Sequence, residues 1–269
     1  MTAKIKIGNQ TACSSVSLMS PFEYAIASGF DAFEWFPDKK DWGAGFNEGD
    51  INKDLRIYIK ETAKVKGITL SVHADVTCNP LYQHTHTQLY DGIELARDIG
   101  AVLVNIHLHM EQGVEIYFDK LIPFIVKTSE LGLKLSIENT PQTTPQNFNS
   151  LFNLMRNSSI DTSHVGMCFD VGHANLCYST TNNYVDYINQ LDITLPIIHI
   201  HMHENYGEYD NHLAVFTGPS VDNPEGIIQV LKRLKKRKFS GAIILEQWLE
   251  DRAILKNSSD RLRNILKEI

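Results

Sequence analysis

The chain has 269 residues, of which 43% are hydrophobic, 21% charged and 9% aromatic, and that composition excludes wholesale disorder and a collagen-like polymer. A formal net charge of -7 disfavours a basic nucleic-acid module, although it leaves local DNA contact open. No apolar run of about 18 residues offers a membrane span.

The opening, MTAKIKIGNQ, carries no signal-peptide-like apolar stretch. From there, short apolar runs alternate with segments of helical period. The runs lie at Ile5–Gly8, Gly29–Glu34, Gly67–His73, Ala101–His107, Leu133–Glu138, His164–Asp170, Pro196–His201 and Gly241–Glu246. Each is short and mostly apolar, as a parallel strand covered on both sides should be. Between them, Lys53–Lys66 places Leu55, Ile59, Ala63 and Val65 in a polar background, and Leu89–Ile99 and Glu115–Leu131 have helical spacing. Gly67, Gly100 and Gly132 each stand where a helix should stop, while Pro145 and Pro224 suit first turns. The four cysteines (Cys13, Cys78, Cys168, Cys177) form no C-x-x-C pair, so neither a disulfide framework nor a cysteine zinc site is expected and a reducing cytoplasm fits best.

Eight βα units without a linker or composition break predict one α/β domain over residues 1–269, a (β/α)8 TIM barrel. The competing doubly wound sheet usually declares itself by G-x-G-x-x-G after the first strand, which is absent.

Runs three to eight end in His73, His107, Glu138, Asp170, His201 and Glu246. In a barrel those ends share one rim, where active sites are built. Any one of them could be an ordinary cap, but capping chosen independently would mix in Ser, Thr, Asn and Lys. Three carboxylates at one rim repel unless a cation neutralises them. A mixed His/Asp/Glu set suits Mn, Zn, Co, Fe or Mg. His173, three residues after Asp170, folds back over the rim as a ligand or as its support. Asp210 and His212, in YDNH after strand seven, extend the set. His199 reads as a core residue deeper in the barrel, His203 and His109 as cavity lining, and His84, His86 and His164 as surface or boundary residues. Glu34 and Trp35 at the end of strand two, and Trp248 after strand eight, are candidate substrate contacts. Trp42, Tyr206, Tyr209 and Phe216 are further rim aromatics.

The motifs SVHA, IENTP, FDVGHANL, HMHENYGEYDNH and ILEQW resemble those of the xylose isomerase-like barrel superfamily, over nearly the whole chain. That superfamily contains sugar isomerases and epimerases, inosose dehydratases and the endonuclease IV group that cleaves DNA at abasic sites. Resemblance to the epimerases implies one divalent metal on Glu138, Asp170, His201 and Glu246, with the two glutamates as acid/base pair and His173 on the sugar. Resemblance to the endonuclease group implies three zinc ions on His73, His107, Glu138, Asp170, His173, His201, Asp210, His212 and Glu246. All nine types are present. The stretch HENYGEYDNH lacks the arginine that epimerases place past the strand-seven histidine.

Sugar isomerisation needs a base and an acid flanking an enediolate, and a metal to stabilise its charge. DNA cleavage needs hydroxide generated at a metal and cations to hold the flanking phosphates. The rim loops offer few cations. ADVTCNPLYQHTH, LHMEQGV, NTPQTTPQN, ANLCYSTTNNYVD and the stretch Met202–Asn223 contain no Lys or Arg. Lys39 and Lys40 are offset by Asp38, Asp41, Glu48 and Asp50, and Arg252 follows strand eight. The run Lys232–Lys238 belongs to a helix end on the opposite face. The sequence therefore favours a cytoplasmic metal-dependent isomerase or epimerase of a free sugar or polyol, using one to three Mn, Zn, Co or Mg ions. Nucleic acid is disfavoured, no membrane is involved, and a homo-oligomer is compatible with the sequence. The alternatives are an abasic-site endonuclease with a multinuclear zinc site, a cyclic-polyol dehydratase, and a barrel that binds without turnover.

Overall fold

A computed structural model describes residues 5–11, 17–37, 39, 45–247 and 252–269. Its strands are β1 (Lys6–Gln10), β2 (Ala32–Trp35), β3 (Thr69–His73), β4 (Leu103–His107), β5 (Lys134–Glu138), β6 (Val165–Asp170), β7 (Ile197–Met202) and β8 (Ala242–Leu245). Each pairs in parallel with the next, and β8 pairs with β1 to close the barrel. The helices are α1 (Ser20–Ala27), α2 (Lys53–Lys66), α3 (His86–Ile99), α4 (Val114–Glu130), α5 (Pro145–Asn157), α6 (Val171–Leu176), α7 (Tyr184–Gln190), α8 (Glu225–Lys236) and α9 (Arg252–Glu268). This is the predicted (β/α)8 TIM barrel, and closure removes the doubly wound alternative. No helix among the described residues is long and apolar enough to cross a membrane.

The local signals act as expected where backbone geometry dictates them. Asn52 caps α2 through a bond from Leu55 N, and Gly67 ends it in the left-handed region at φ 68°. Gly100 ends α3 in the same way at φ 73°. Pro145 opens α5 behind a Thr144–Asn147 capping box. Pro224 is the N-cap of α8 rather than a first-turn residue. On α2, Ile59 and Ala63 are buried one turn apart, but Val65 is 79% exposed. It lies two positions beyond Ala63, on the solvent side of the 3.6-residue period.

The main core is the sleeve between sheet and helices. Phe22, Phe33, Trp35 and Phe46 stack there with ring centroids 5.0–6.0 Å apart. Inside the barrel the apolar content shrinks to a small cluster of Ala32, Ala242 and Ile244.

Candidate metal centre

Alternate strand residues face the barrel axis. Towards the C-terminal mouth, β3 presents Ser71 then His73, β4 Asn105 then His107, β5 Ser136 then Glu138, and β6 Cys168 then Asp170. On β7, His199 and His201 are followed by His203, and beyond β8 Ile244 is followed by Glu246. Among the C-terminal ends of β3–β8, two differ from the sequence reading: β7 runs one residue past His201, and β8 stops one residue before Glu246.

These side chains form three donor groups, each with its ligand atoms within 4.8 Å of one another. The first is His73, His107 and Glu138; the second is Glu138, Asp170, His201 and Glu246; the third is His173, His203, Asp210 and His212. Glu138 joins the first two. Its Oε2 lies 3.1 Å from His73 Nε2 and 3.1 Å from His201 Nδ1, and its Oε1 lies 3.6 Å from His107 Nε2. Glu246 Oε2 is 3.0 Å from the same His201 Nδ1. Asp170 links the second group to the third through Oδ1, 3.2 Å from His203 Nε2. Asp210 Oδ2 closes the third, 3.2 Å from His173 Nε2 and 3.1 Å from His212 Nε2. Two smaller groups, Glu34–His199–His201 and Glu138–Cys168–His201, share His201 with the second. Burial pushes the Cys168 thiol well above its usual range.

Several imidazoles are held from behind. His73 Nδ1 meets the carbonyl of Ala74, His173 Nδ1 the carbonyl of Asn139 at 2.8 Å, and His212 Nδ1 the carbonyl of Glu246 at 2.9 Å. A carbonyl can only accept, so each Nδ1 carries a proton, and each Nε2, which faces a carboxylate (Glu138 for His73, Asp210 for His173 and His212), is the nitrogen that could ligate. Asn139 also clamps Asp170, accepting from its backbone N at 2.8 Å and donating to its carbonyl at 2.9 Å. Asn105 donates to Glu138 Oε2. Gly172 is required beside this cluster: a Cβ there would stand 2.0 Å from His203 Cε1.

The groups titrate against each other. Burial alone would raise Glu138, but the imidazoles of His201 and His107 hold it well below the ordinary carboxylate range. Glu246 and Asp210 are likewise held low despite burial, Glu246 chiefly by His201, Asp210 by hydrogen bonds from His173 and His212. Burial alone would lower His73, His173, His201 and His212, yet facing carboxylates raise His73, His173 and His212, and Cys168 together with Glu138, Glu246 and Glu34 raises His201. At His107 burial wins, and its pKa is lowered. Protons thus balance the acidic mouth, in positions where a divalent ion would do the same. The residues fit such an ion. Glu138 Oε1, Asp170 Oδ2, His201 Nδ1, His203 Nε2 and Glu246 Oε2 are buried without a well-formed hydrogen bond among the described residues. An unsatisfied buried polar atom costs about 1–3 kcal/mol.

All nine predicted ligands therefore converge, and a tenth donor, His203, joins them. Its signal was the alternation His199-x-His201-x-His203, which keeps all three on one side of an extended chain. The predicted substrate contacts fare differently. Trp35 faces outward and is wholly buried against Phe22, Phe33 and Phe46, because it follows the inward-facing Glu34 on β2. Glu34 is fully buried below the mouth, against Ser71, His199 and His201, where no substrate reaches it. Trp248 and Trp42 lie outside the described residues. Phe216 is covered by Arg261, whose Cζ is 4.2 Å from the ring centre. Tyr206 and Tyr209 are exposed. His199 is in the core as expected; His164 lies behind the barrel against Ile125 and Thr128, and His86 bonds the Pro80 carbonyl.

Beside the donors, a cavity of about 490 Å³ opens between the β4–α4 and β5–α5 loops, lined by His107, His109, Met110, Glu111, Gln142 and His173 among others. Among the described residues no Lys or Arg lines it. Lys39 is engaged with Asp50 at 2.9 Å, and Arg252 with Ser20 and the ring of Tyr24.

The sequence model of the xylose isomerase-like TIM barrel family matches residues 22–266. The chain belongs to that family. Within it, the chain is 27% identical over 236 residues to an uncharacterized protein of Methanocaldococcus jannaschii, covering 78% of this chain and 73% of that one. It is 23% identical over 233 residues to a probable endonuclease 4 of Thermoplasma volcanium, covering 84% and 80%. The crystal structure of a D-tagatose 3-epimerase-like protein superposes with a TM-score of 0.75 at 24% identity, over 98% of this chain and 97% of that one. The fold is thus shared with a protein described as D-tagatose 3-epimerase-like.

Proposed function

We propose that this xylose isomerase-like barrel is a divalent-metal-dependent hydrolase of a small phosphoester, with a multinuclear metal centre. The observation that carries the reading is the division of the donors, all buried or partly buried except the exposed Asp210, into three groups joined at Glu138 and Asp170. A single ion held by Glu138, Asp170, His201 and Glu246 would leave His73, His107, His173, His203, Asp210 and His212 crowded together with no task. Burying so many ionisable groups is costly unless each is paired or ligating.

Charge favours the same reading. The donor groups contain four carboxylates, Glu138, Asp170, Asp210 and Glu246. Three divalent ions on neutral imidazoles would outweigh these carboxylates and leave the mouth positive, as recognition of a phosphoester needs. When bound, divalent ions supply charge to a phosphoryl oxygen and lower the pKa of a water molecule. The chain's part is to hold them: Glu138 as the shared carboxylate, His73, His173 and His212 through their carbonyl-anchored rings. The absence of Lys and Arg from the described cavity lining argues against a grip on duplex DNA, which needs several phosphate contacts. The name of the Thermoplasma relative supports phosphoester chemistry in general.

A second reading is a sugar or polyol isomerase or epimerase, or the related dehydratase, with Glu138 and Glu246 as acid/base pair. It is favoured by their common approach to His201 Nδ1, at 3.1 and 3.0 Å. The discriminating experiment assays zinc- and manganese-loaded protein on bis(p-nitrophenyl) phosphate, an abasic-site duplex and free ketohexoses. The hydrolase reading expects release of p-nitrophenol with little or no nicking. Interconversion of ketohexoses without p-nitrophenol release would install the second reading, and efficient nicking would make the substrate DNA.

A further inference from the structure

The other tethered imidazoles of the donor groups lean on backbone carbonyls through Nδ1 and offer Nε2; His201 is reversed. Its Nδ1 points at Glu138 Oε2 and Glu246 Oε2, 3.1 and 3.0 Å away. Its Nε2 lies 2.8 Å from Glu34 Oε1, a charge contact in which neither atom completes a hydrogen bond among the described residues. The carboxylate of Glu34 is itself fixed on its other oxygen, which accepts from Ser71 Oγ at 2.8 Å and meets His199 Nε2 at 2.8 Å. Glu34, His199 and His201 are all at least 98% buried. Three different strands thus contribute to one small assembly below the mouth: β2, β3 and two alternate positions of β7.

We propose that Glu34 is the positioning residue of the metal centre: its carboxylate oxygen, 2.8 Å from His201 Nε2, favours the proton on that nitrogen by charge and so commits Nδ1 to the ion held with Glu138, Asp170 and Glu246. This rests on the metal reading above. A neutral imidazole has one N–H and one lone pair, so an anionic acceptor on Nε2 fixes which nitrogen can ligate. A carboxylate does more than a carbonyl can, because its charge also makes the ring a stronger electron donor to a cation. That difference sorts with position. His201 sits between two carboxylates of the second group, Glu138 and Glu246, where a misoriented ring would disturb that group. Burial would strand the charge of Glu34, and His199 and Ser71 answer that cost from the side away from His201. The Glu34–His199–His201 triad is then a support and not a further metal site. Its geometry agrees, since one nitrogen of each ring is used on Glu34 itself.

The test is a cobalt(II) titration of wild-type, Glu34→Gln and Glu34→Asp proteins, followed by visible absorption, with circular dichroism to check the fold. In Glu34→Gln one equivalent is expected to bind about 10- to 100-fold more weakly, with shifted d–d bands, while the other equivalents are unchanged. Glu34→Asp, which keeps the charge, is expected to recover part of that affinity. Ser71→Ala, a milder change, is expected to weaken the same equivalent by a few fold and serves if the glutamate variants do not fold. A titration superimposing on wild type, or an equal weakening of every equivalent, would overturn the positioning role. Loss of one whole equivalent with an unchanged spectrum for the rest would make Glu34 a ligand and overturn it too. A wild-type protein that takes up no cobalt would instead overturn the metal reading, and this inference with it.

Discussion

The two faces of the same eight strands carry opposite chemistry. The outward face is a continuous apolar sleeve, with Val72, Ile106, Ile137, Phe169, Ile200 and Leu245 wholly or almost wholly buried against the helices. The inward face, one residue out of step, carries Ser71, Asn105, Ser136, Asp170, His201 and Glu246, equally buried and almost entirely polar. The sleeve accounts for folding: burial of apolar surface contributes about 25 cal/mol per Å². The inner face costs stability on the same scale and is retained for what it binds. Neighbours in sequence therefore do different jobs, and substitutions at adjacent positions should separate stability from metal binding.

The largest effects are expected from splitting the pair Phe169 and Asp170. Phe169→Ala should cost about 3–5 kcal/mol in urea unfolding while each folded molecule keeps its full metal complement. Asp170→Asn should do the reverse, with a metal content reduced by at least one equivalent and a metal-free stability close to wild type. If both variants lost stability and metal together, the division of labour between the faces would be wrong. Glu138→Gln sharpens the inner half of the comparison. Because Glu138 serves two donor groups, it should lose more metal than Glu246→Gln, as read by elemental analysis.

A smaller effect concerns pH. His73, His173, His201 and His212 hold their protons above the ordinary histidine value of 6.5. In the unfolded chain they release them near that value. Their stabilising contribution is thus fully present below pH 6.5 and is lost as pH rises through the raised values. The carboxylates run the other way: Glu34, Glu138, Asp210 and Glu246 are held low, so their contribution is present above about pH 4 and is lost in acid. Metal-free protein should melt at progressively lower temperature from pH 6.5 to 9, while zinc should reverse that slope because ligation needs neutral imidazoles. Parallel melting curves with and without zinc would contradict this.

The smallest effects test the margins. Gly172→Ala should push His203 aside and weaken only the third donor group, by a few fold in zinc affinity. Lys235→Ala, at the end of α8 on the opposite face, should change stability by less than about 0.5 kcal/mol and leave zinc binding untouched.

Much of this contrast was legible in the residues themselves. The apolar runs located all eight strands, and their terminal His, Asp and Glu residues located the donors, since strand order and barrel closure place those ends together. Side-chain direction is harder to read at strand two: a one-residue error in phase exchanges the inner and outer faces, and it separates Glu34 and Trp35 as substrate contacts from their buried places on opposite faces of β2. His203 was underread for a related reason, because it lies past the end of an apolar run even though its alternation with His201 persists. The tethers were not legible. Carbonyls of Ala74, Asn139 and Glu246 carry no side-chain signature, and the approach of Glu34 to His201 joins residues far apart in sequence.

The most direct test of the central claim is the metal content of the protein after dialysis against zinc and removal of the excess, measured by elemental analysis against amino-acid quantitation. About three zinc ions per chain is the predicted result. A plateau at one, with His73, His107, His173 and His212 replaceable without loss of that ion, would contradict the multinuclear centre and leave a mononuclear sugar enzyme in its place.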